Sequence, residues 1–268
     1  MLCRYVQVHS DGTVVGLENK QAIKYGYGSM LNLRIKLVMG FALGYIYASG
    51  VILYELCEKT GQVNDPFIKK KLIEILCTGI GTVLSNSYIS RIFKNYLSAL
   101  EKKDFNKADK LLISCHIISS TFKALSSWKS EETLRESVIL NQFGTFQSTY
   151  LPKYLADCIP SVTYEGDNSV LLQQTAKFIL MKEKEDDLTK PNLQVNLNDL
   201  NQLLAVFKFV TSSEIRHLKG LIQKFVEEGN DFKVVWNELL QTQILEVSKI
   251  WGRMTLLSSA METLKGIT

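Results

Sequence analysis

From Tyr27 onward the apolar residues recur at helical spacing almost without a break, and this limits the possible folds more than any other feature of the chain. A chain that is nearly all helix buries its apolar stripes only against other helices, so the expected class is all-α, a helical bundle. The first long helix is predicted from about Ser29 to Glu58, ending near Lys59-Thr60-Gly61. Asp65-Pro66 is an N-cap and first-turn pair that opens a second helix reaching Leu100. After the charged turn Glu101-Lys102-Lys103-Asp104, a third helix spans about Asn106 to Trp128, with Leu111, Leu112, Cys115, Ile118, Phe122 and Leu125 on one stripe. Ser130-Glu131-Glu132 is expected to open a fourth helix through about Gln142. Before Tyr27 the signals differ. Arg4 to Val8 alternates, Ser10-Asp11-Gly12 is a turn, and Thr13-Val14-Val15 is β-prone.

Lys182-Glu183-Lys184-Glu185-Asp186-Asp187 through Pro191 is the best linker candidate. Beyond it, Asn198 to Val226 and Asp231 to Leu264 form another helical pair, with Trp236 and Trp251 as expected core anchors. The expected division is therefore a short β segment at 1–20, a helical bundle at 21–185 and a second, partial helical unit at 190–268.

Composition removes several classes of function. The 31 basic residues are spread among 27 acidic ones for a net charge of +4, so no nucleic-acid face emerges. Five well-separated cysteines (Cys3, Cys57, Cys77, Cys115, Cys158) predict buried free thiols in a reducing compartment. His9, His116 and His217 are isolated from one another, with no metal-ligand spacing. The N-terminus alternates rather than forming the apolar core of a signal peptide, and Gly266-Ile267-Thr268 is not a Ser-Lys-Leu type address. Leu37 to Tyr54 has no charged residue and carries a Gly40-x-x-x-Gly44 spacing. Its glycines, tyrosines and short length favour a helix buried on all sides over a membrane span.

Residues 163 to 177, Thr-Tyr-Glu-Gly-Asp-Asn-Ser-Val-Leu-Leu-Gln-Gln-Thr-Ala-Lys, carry the chemistry. Glu165 precedes a glycine, a helix-capping Asp167-Asn168 pair and an amphipathic helix from Asn168 to about Lys182. A carboxylate on a tight Gly-containing turn can be shielded from water and held against a weakly acidic proton, as a general base requires. The simpler alternative is a carboxylate that favours the helix N-terminus through its dipole.

This block, from Leu151-Pro152 through Lys177, resembles the catalytic segment of the peroxisomal acyl-CoA oxidase family. Three collinear partners strengthen the likeness: Met1 to Gly12, Tyr27-Gly28-Ser29-Met30-Leu31-Asn32-Leu33-Arg34, and His116 through Trp128, especially Phe122-Lys123-Ala124-Leu125-Ser126-Ser127-Trp128. The resemblance implies the family's C-terminal bundle, part of its second helical domain and the last strand of its β domain. It also implies a chemistry in which an acyl-CoA lies over the flavin of FAD. A glutamate, here Glu165, removes an α-proton while the β-hydride passes to the flavin. Oxygen then reoxidises the flavin, giving peroxide and a trans-2-enoyl-CoA. Tyr164 and Gly166 become the neighbouring substrate positions, a homodimer or pairing with an oxidase chain the expected assembly, and the peroxisome the expected location, with the cytoplasm otherwise.

The cofactor positions depart from the family pattern. Its adjacent glycines before the catalytic block fall in Leu140-Asn141-Gln142-Phe143-Gly144-Thr145, where the pair is gone and Gly144 matches one later glycine. Its paired arginines fall at Lys59-Thr60, where lysine keeps charge but loses the bidentate fork. Its Asp-Tyr-Gln element falls at Phe67-Ile68-Lys69-Lys70-Lys71. Lys59, Asn141, Gln142 and Gly144 are thus altered FAD positions. The expectation is an oxidase-type fragment inactive on its own, or alternatively a non-catalytic dimerisation or scaffold relative that has lost FAD.

Overall fold

The computed structural model describes residues 6–16, 20–60, 65–140, 150–182, 196 and 198–267, and the side chains of these except 6–8, 14, 16, 20–26, 29, 52–60 and 140. An antiparallel pair comes first, β1 (Val6–Val8) against β2 (Val14–Gly16), with Val6 opposite Gly16 and Val8 opposite Val14. Gly12 turns the chain at φ +83, and the Asp11 carboxylate accepts from the Thr13 amide at 2.9 Å.

Three long helices then form the bundle: α1 (Lys20–Thr60), α2 (Pro66–Glu101) and α3 (Phe105–Leu140). Asp65 caps α2 as its sequence predicts, accepting from the amides of Phe67 at 2.8 Å and Ile68 at 3.2 Å. Two apolar layers join the three helices. One gathers Leu31, Ile35, Ile89, Phe93 and Leu112; the other gathers Phe41, Tyr45, Ile75, Leu134 and, from α4 (Leu151–Cys158), Leu151. A 3-10 turn (Ile159–Val162) leads to α5 (Asn168–Lys182), followed by α6 (Leu200–Glu227), α7 (Phe232–Val234), a π-helical turn (Val235–Leu239) and α8 (Gln241–Lys265). Trp236 is buried in the core shared by α5, α6 and α8, and half-buried Trp251 packs at its edge.

Helix α8 ties the later helices to the bundle. Ser248 donates to the Leu172 carbonyl at 2.8 Å, Ser85 to Leu256 at 3.0 Å and Thr263 to Leu84 at 3.0 Å. Gly252 makes the approach possible, because a Cβ there would collide with Thr121 and Leu125 of α3.

Three expectations need correction. No break separates the third and fourth predicted helices, since α3 runs through Ser130 to Leu140. Ser130 and its neighbours Ser127, Thr133 and Ser137 are buried, and Ser127 and Ser137 donate to carbonyls within the helix rather than capping a new one. The uncharged run beginning at Leu37 is not buried on all sides: Phe41, Ala42, Tyr45 and Ala48 face the core, but Leu43 is 56% and Ile46 42% exposed. Among the described residues the helix long and apolar enough to cross a membrane is instead α2, and it packs against α1, α3 and α8. Finally, Cys115 and Cys158 are buried free thiols but Cys77 is exposed.

Candidate active site

The turn that carries Glu165 is built from local hydrogen bonds. The Pro160 carbonyl accepts from the amides of Thr163 at 3.1 Å and Tyr164 at 3.2 Å, and from the Thr163 hydroxyl at 2.8 Å. The Gly166 amide then closes back on the Thr163 carbonyl at 3.2 Å. Two consecutive residues end up with left-handed backbones, Glu165 at φ +60 and Gly166 at φ +109. For a residue with a side chain this conformation costs about 1–2 kcal/mol, so the turn needs outside support. Gly166 avoids that cost, and a Cβ on it would lie 3.0 Å from Leu171 Cδ2.

Two buried cations supply the support. Arg34 of α1, 2% exposed, donates to the Glu165 carbonyl through Nε at 3.1 Å and Nη2 at 2.8 Å, while Nη1 donates to Ser120 Oγ at 3.1 Å. Lys123 of α3, fully buried, donates to the Gly166 carbonyl at 2.7 Å and to Asn168 Oδ1 at 2.9 Å. Asn168 donates onward to Ser127 Oγ at 2.8 Å and to the Ala124 carbonyl at 3.4 Å. Charge-assisted bonds of this kind are about twice as strong as neutral ones, enough to hold a strained turn. Asp167 alone caps α5, accepting from the amides of Ser169 at 2.9 Å and Val170 at 3.1 Å. The predicted capping pair is thus divided: Asp167 caps, and Asn168 turns inward to complete the clamp.

The clamp engages the backbone of Glu165 and leaves its carboxylate outside. Glu165 Oε2 is buried and, among the described residues, has no hydrogen-bond partner. A buried carboxylate oxygen lacking a donor carries a desolvation penalty that a bound group can relieve. Nearby electrostatics are set by the two cations. Burial first, and then Arg34, push Lys123 down to about 8, against the opposing pull of Asp167 and Glu165. Burial and then Arg34 also lower His116, opposed by a hydrogen bond with Gln174, and the Tyr27 hydroxyl lies 2.8 Å from His116 Nδ1.

Of the residues singled out in the sequence, Tyr164, Glu165 and Gly166 lie together on this turn. Tyr164 is 41% exposed; partial burial, then Cys158 and Asp157, raise its phenol. Lys59 lies in the last turn of α1, 25 residues beyond Arg34, which corresponds to ~37 Å along a helix axis. Its side chain lies outside the described residues, as do Asn141, Gln142 and Gly144 altogether. Neither the cleft of about 410 Å³ between α2, α3 and α8 nor the groove of about 580 Å³ beside Trp236 is lined by Glu165. The sequence reading missed Arg34, Lys123, Ser120 and Ser127 as site residues. Their only signal was membership of the two segments that flank the block: Arg34 closes one, and Lys123 and Ser127 lie in the other.

Comparison with known proteins shows what the chain is similar to. Residues 66–180 match the family model of the acyl-CoA oxidase C-alpha1 domain. Peroxisomal acyl-coenzyme A oxidase 1 of Mus musculus is 23% identical over 274 residues, covering 88% of this chain and 40% of the mouse protein. An acyl-CoA oxidase structure from Lycopersicon esculentum superposes with a TM-score of 0.81 at 19% identity, covering 99% of this chain and 44% of that one. Acyl-CoA oxidase-1 of Caenorhabditis elegans, complexed with FAD and ATP, gives a TM-score of 0.78 at 15% identity over 100% of this chain and 43% of that one. The chain spans less than half the length of these proteins. Residues 66–180 therefore match the acyl-CoA oxidase C-alpha1 domain, and the chain as a whole resembles the C-terminal half of the peroxisomal acyl-CoA oxidase family.

Proposed function

We propose that this chain supplies the base-carrying helical half of an acyl-CoA oxidase-type site, with Glu165 removing the α-proton of an acyl thioester. The observation that carries the reading is the division of labour at Glu165: its carbonyl is clamped by Arg34, while its buried Oε2 has no partner among the described residues. A base needs a fixed position, and an oxygen free to meet the proton. Asn168 and Lys123 keep the turn in register, and Tyr164 borders the space outside it.

FAD is the cofactor of this chemistry in the family, and when bound it would accept the hydride. Among the candidate cofactor positions, only the backbone of Lys59 lies within the described residues. Arg34, which touches Glu165, and Lys59 stand ~37 Å apart along α1, beyond the reach of a single dinucleotide. A cofactor contacting Lys59 would therefore serve the Glu165 of a different chain, which favours a homodimer or pairing with an oxidase chain. Peroxisomal fatty-acid β-oxidation is the setting that the relatives suggest.

A second reading is a non-catalytic dimerisation or scaffold role, favoured by Asn141-Gln142 in place of paired glycines. Acyl-CoA-dependent peroxide formation in the presence of FAD separates the two. The oxidase reading expects turnover that falls on the order of a hundredfold or more in Glu165→Gln with the fold intact. Turnover unchanged by that substitution would remove Glu165 from the role, and a protein that retains neither flavin nor activity would favour the scaffold.

A further inference from the structure

The stripe of α3 that faces the clamp carries Ser120, Lys123, Ala124 and Ser127. The opposite stripe, with Leu125, Trp128, Lys129 and Glu132, borders the cleft of about 410 Å³ between α2, α3 and α8. No clamp residue lines this cleft. Its floor is apolar, formed by Leu125, Leu256 and the buried ring of Tyr45, whose hydroxyl is already engaged with the Ser126 carbonyl at 2.7 Å. Trp128 makes one wall, with Lys249 Nζ 5.2 Å from its ring centroid.

The cations around the cleft differ in how they are balanced. Lys129 is paired with Glu74 at 3.4 Å and Glu132 at 3.0 Å, and Lys249 with Glu246 at 2.7 Å. Arg253, one turn beyond Lys249 on the same face of α8, has no ion pair among the described residues and stands exposed at the mouth. The wall that carries it is fixed, because Gly252 presses directly onto Thr121 and Leu125. A guanidinium offers a planar, bidentate seat for a carboxylate, and Trp128 and Leu125 offer apolar surface to a flat body. The volume is within the range of small-molecule sites. A bare inorganic anion would leave the floor unfilled, and a neutral apolar molecule would gain nothing from Arg253.

We propose that this cleft binds an organic monoanion with an aromatic or apolar body, the anionic group on Arg253 and the body between Trp128 and Leu125. The inference does not depend on catalysis at Glu165.

Isothermal titration of the full chain with naphthoate, and with neutral naphthamide as its isostere, tests it. Saturable one-site binding of naphthoate is expected, weakened about tenfold or more by Arg253→Gln, by Trp128→Leu, or by exchanging the carboxylate for the amide. Lys233→Ala, an exposed cation that does not line the cleft, leaves the affinity unchanged. Far-UV circular dichroism confirms the fold of each variant, and exposed Arg253 provides a substitution outside the core should Trp128→Leu unfold the chain. Absence of saturable binding, or equal affinity in wild type and Arg253→Gln, would overturn the proposal.

Discussion

A lysine with no exposed surface is unusual, and Lys123 is tolerated because both of its acceptors are fixed in place. It needs only two N–H groups for these two bonds, so a neutral amine satisfies the same acceptors as the ammonium. Lys123→Met strands the Gly166 carbonyl and Asn168 Oδ1, and is expected to lower stability by about 1–3 kcal/mol at neutral pH, read from a denaturant midpoint. The pH dependence has a definite sign. In the folded chain Lys123 titrates near 8, and in the unfolded chain near the ordinary lysine value of about 10.4. Between these values the unfolded state holds more protons, so this group's contribution to stability rises with pH. That rise is expected in the wild type and absent from Lys123→Met; parallel curves would refute it. None of this could be read from local sequence, because the clamp joins residues 131 and 43 positions apart. What the sequence did offer was the Glu165-Gly166 turn and the start of α5, which depend on neighbours alone.

At the scale of elements, α8 packs tightly on α3 at Gly252, where a Cβ would collide with Thr121 and lie 2.6 Å from Leu125. Gly252→Ala is expected to cost about 1–3 kcal/mol as Thr121 and Leu125 are forced aside. Gly220, on the exposed face of α6, has nothing within 4 Å of the place a Cβ would take, so Gly220→Ala is expected to stabilise by about 0.5–1 kcal/mol. Paired thermal melts of the two variants check both; a matching loss in each would mean that the α8–α3 contact is not the cause. Helix starts were legible where a side chain does the capping, as at Asp65. The expected start at Ser130 failed for a related reason: short polar residues signal caps, but a buried row of them satisfies itself on helix carbonyls. The uncharged run in α1 misled in a similar way. Apolar composition does not reveal which face is covered, and Leu43 and Ile46 remain exposed.

For the whole molecule, helical periodicity was enough to predict an all-α bundle, and the docking of α8 along α2 and α3 was not legible because it rests on contacts such as Ser85 to Leu256, 171 residues apart. The distance along α1 between Arg34 and Lys59 has a consequence for assembly. If one cofactor is shared between chains, flavin retention is expected to rise with protein concentration and to track the dimer in analytical ultracentrifugation. Retention by a strictly monomeric protein would exclude sharing. The central claim, that Glu165 is a base held by its backbone with a buried, unpartnered carboxylate oxygen, is tested most directly by deuterium incorporation at the α-carbon of an acyl-CoA in heavy water, followed by mass spectrometry. With no hydride acceptor present, a base at that carbon would return the α-position with deuterium from the solvent. The account predicts incorporation by the wild type and a loss on the order of a hundredfold in Glu165→Gln. Equal incorporation by both proteins, or none by the wild type, would contradict it.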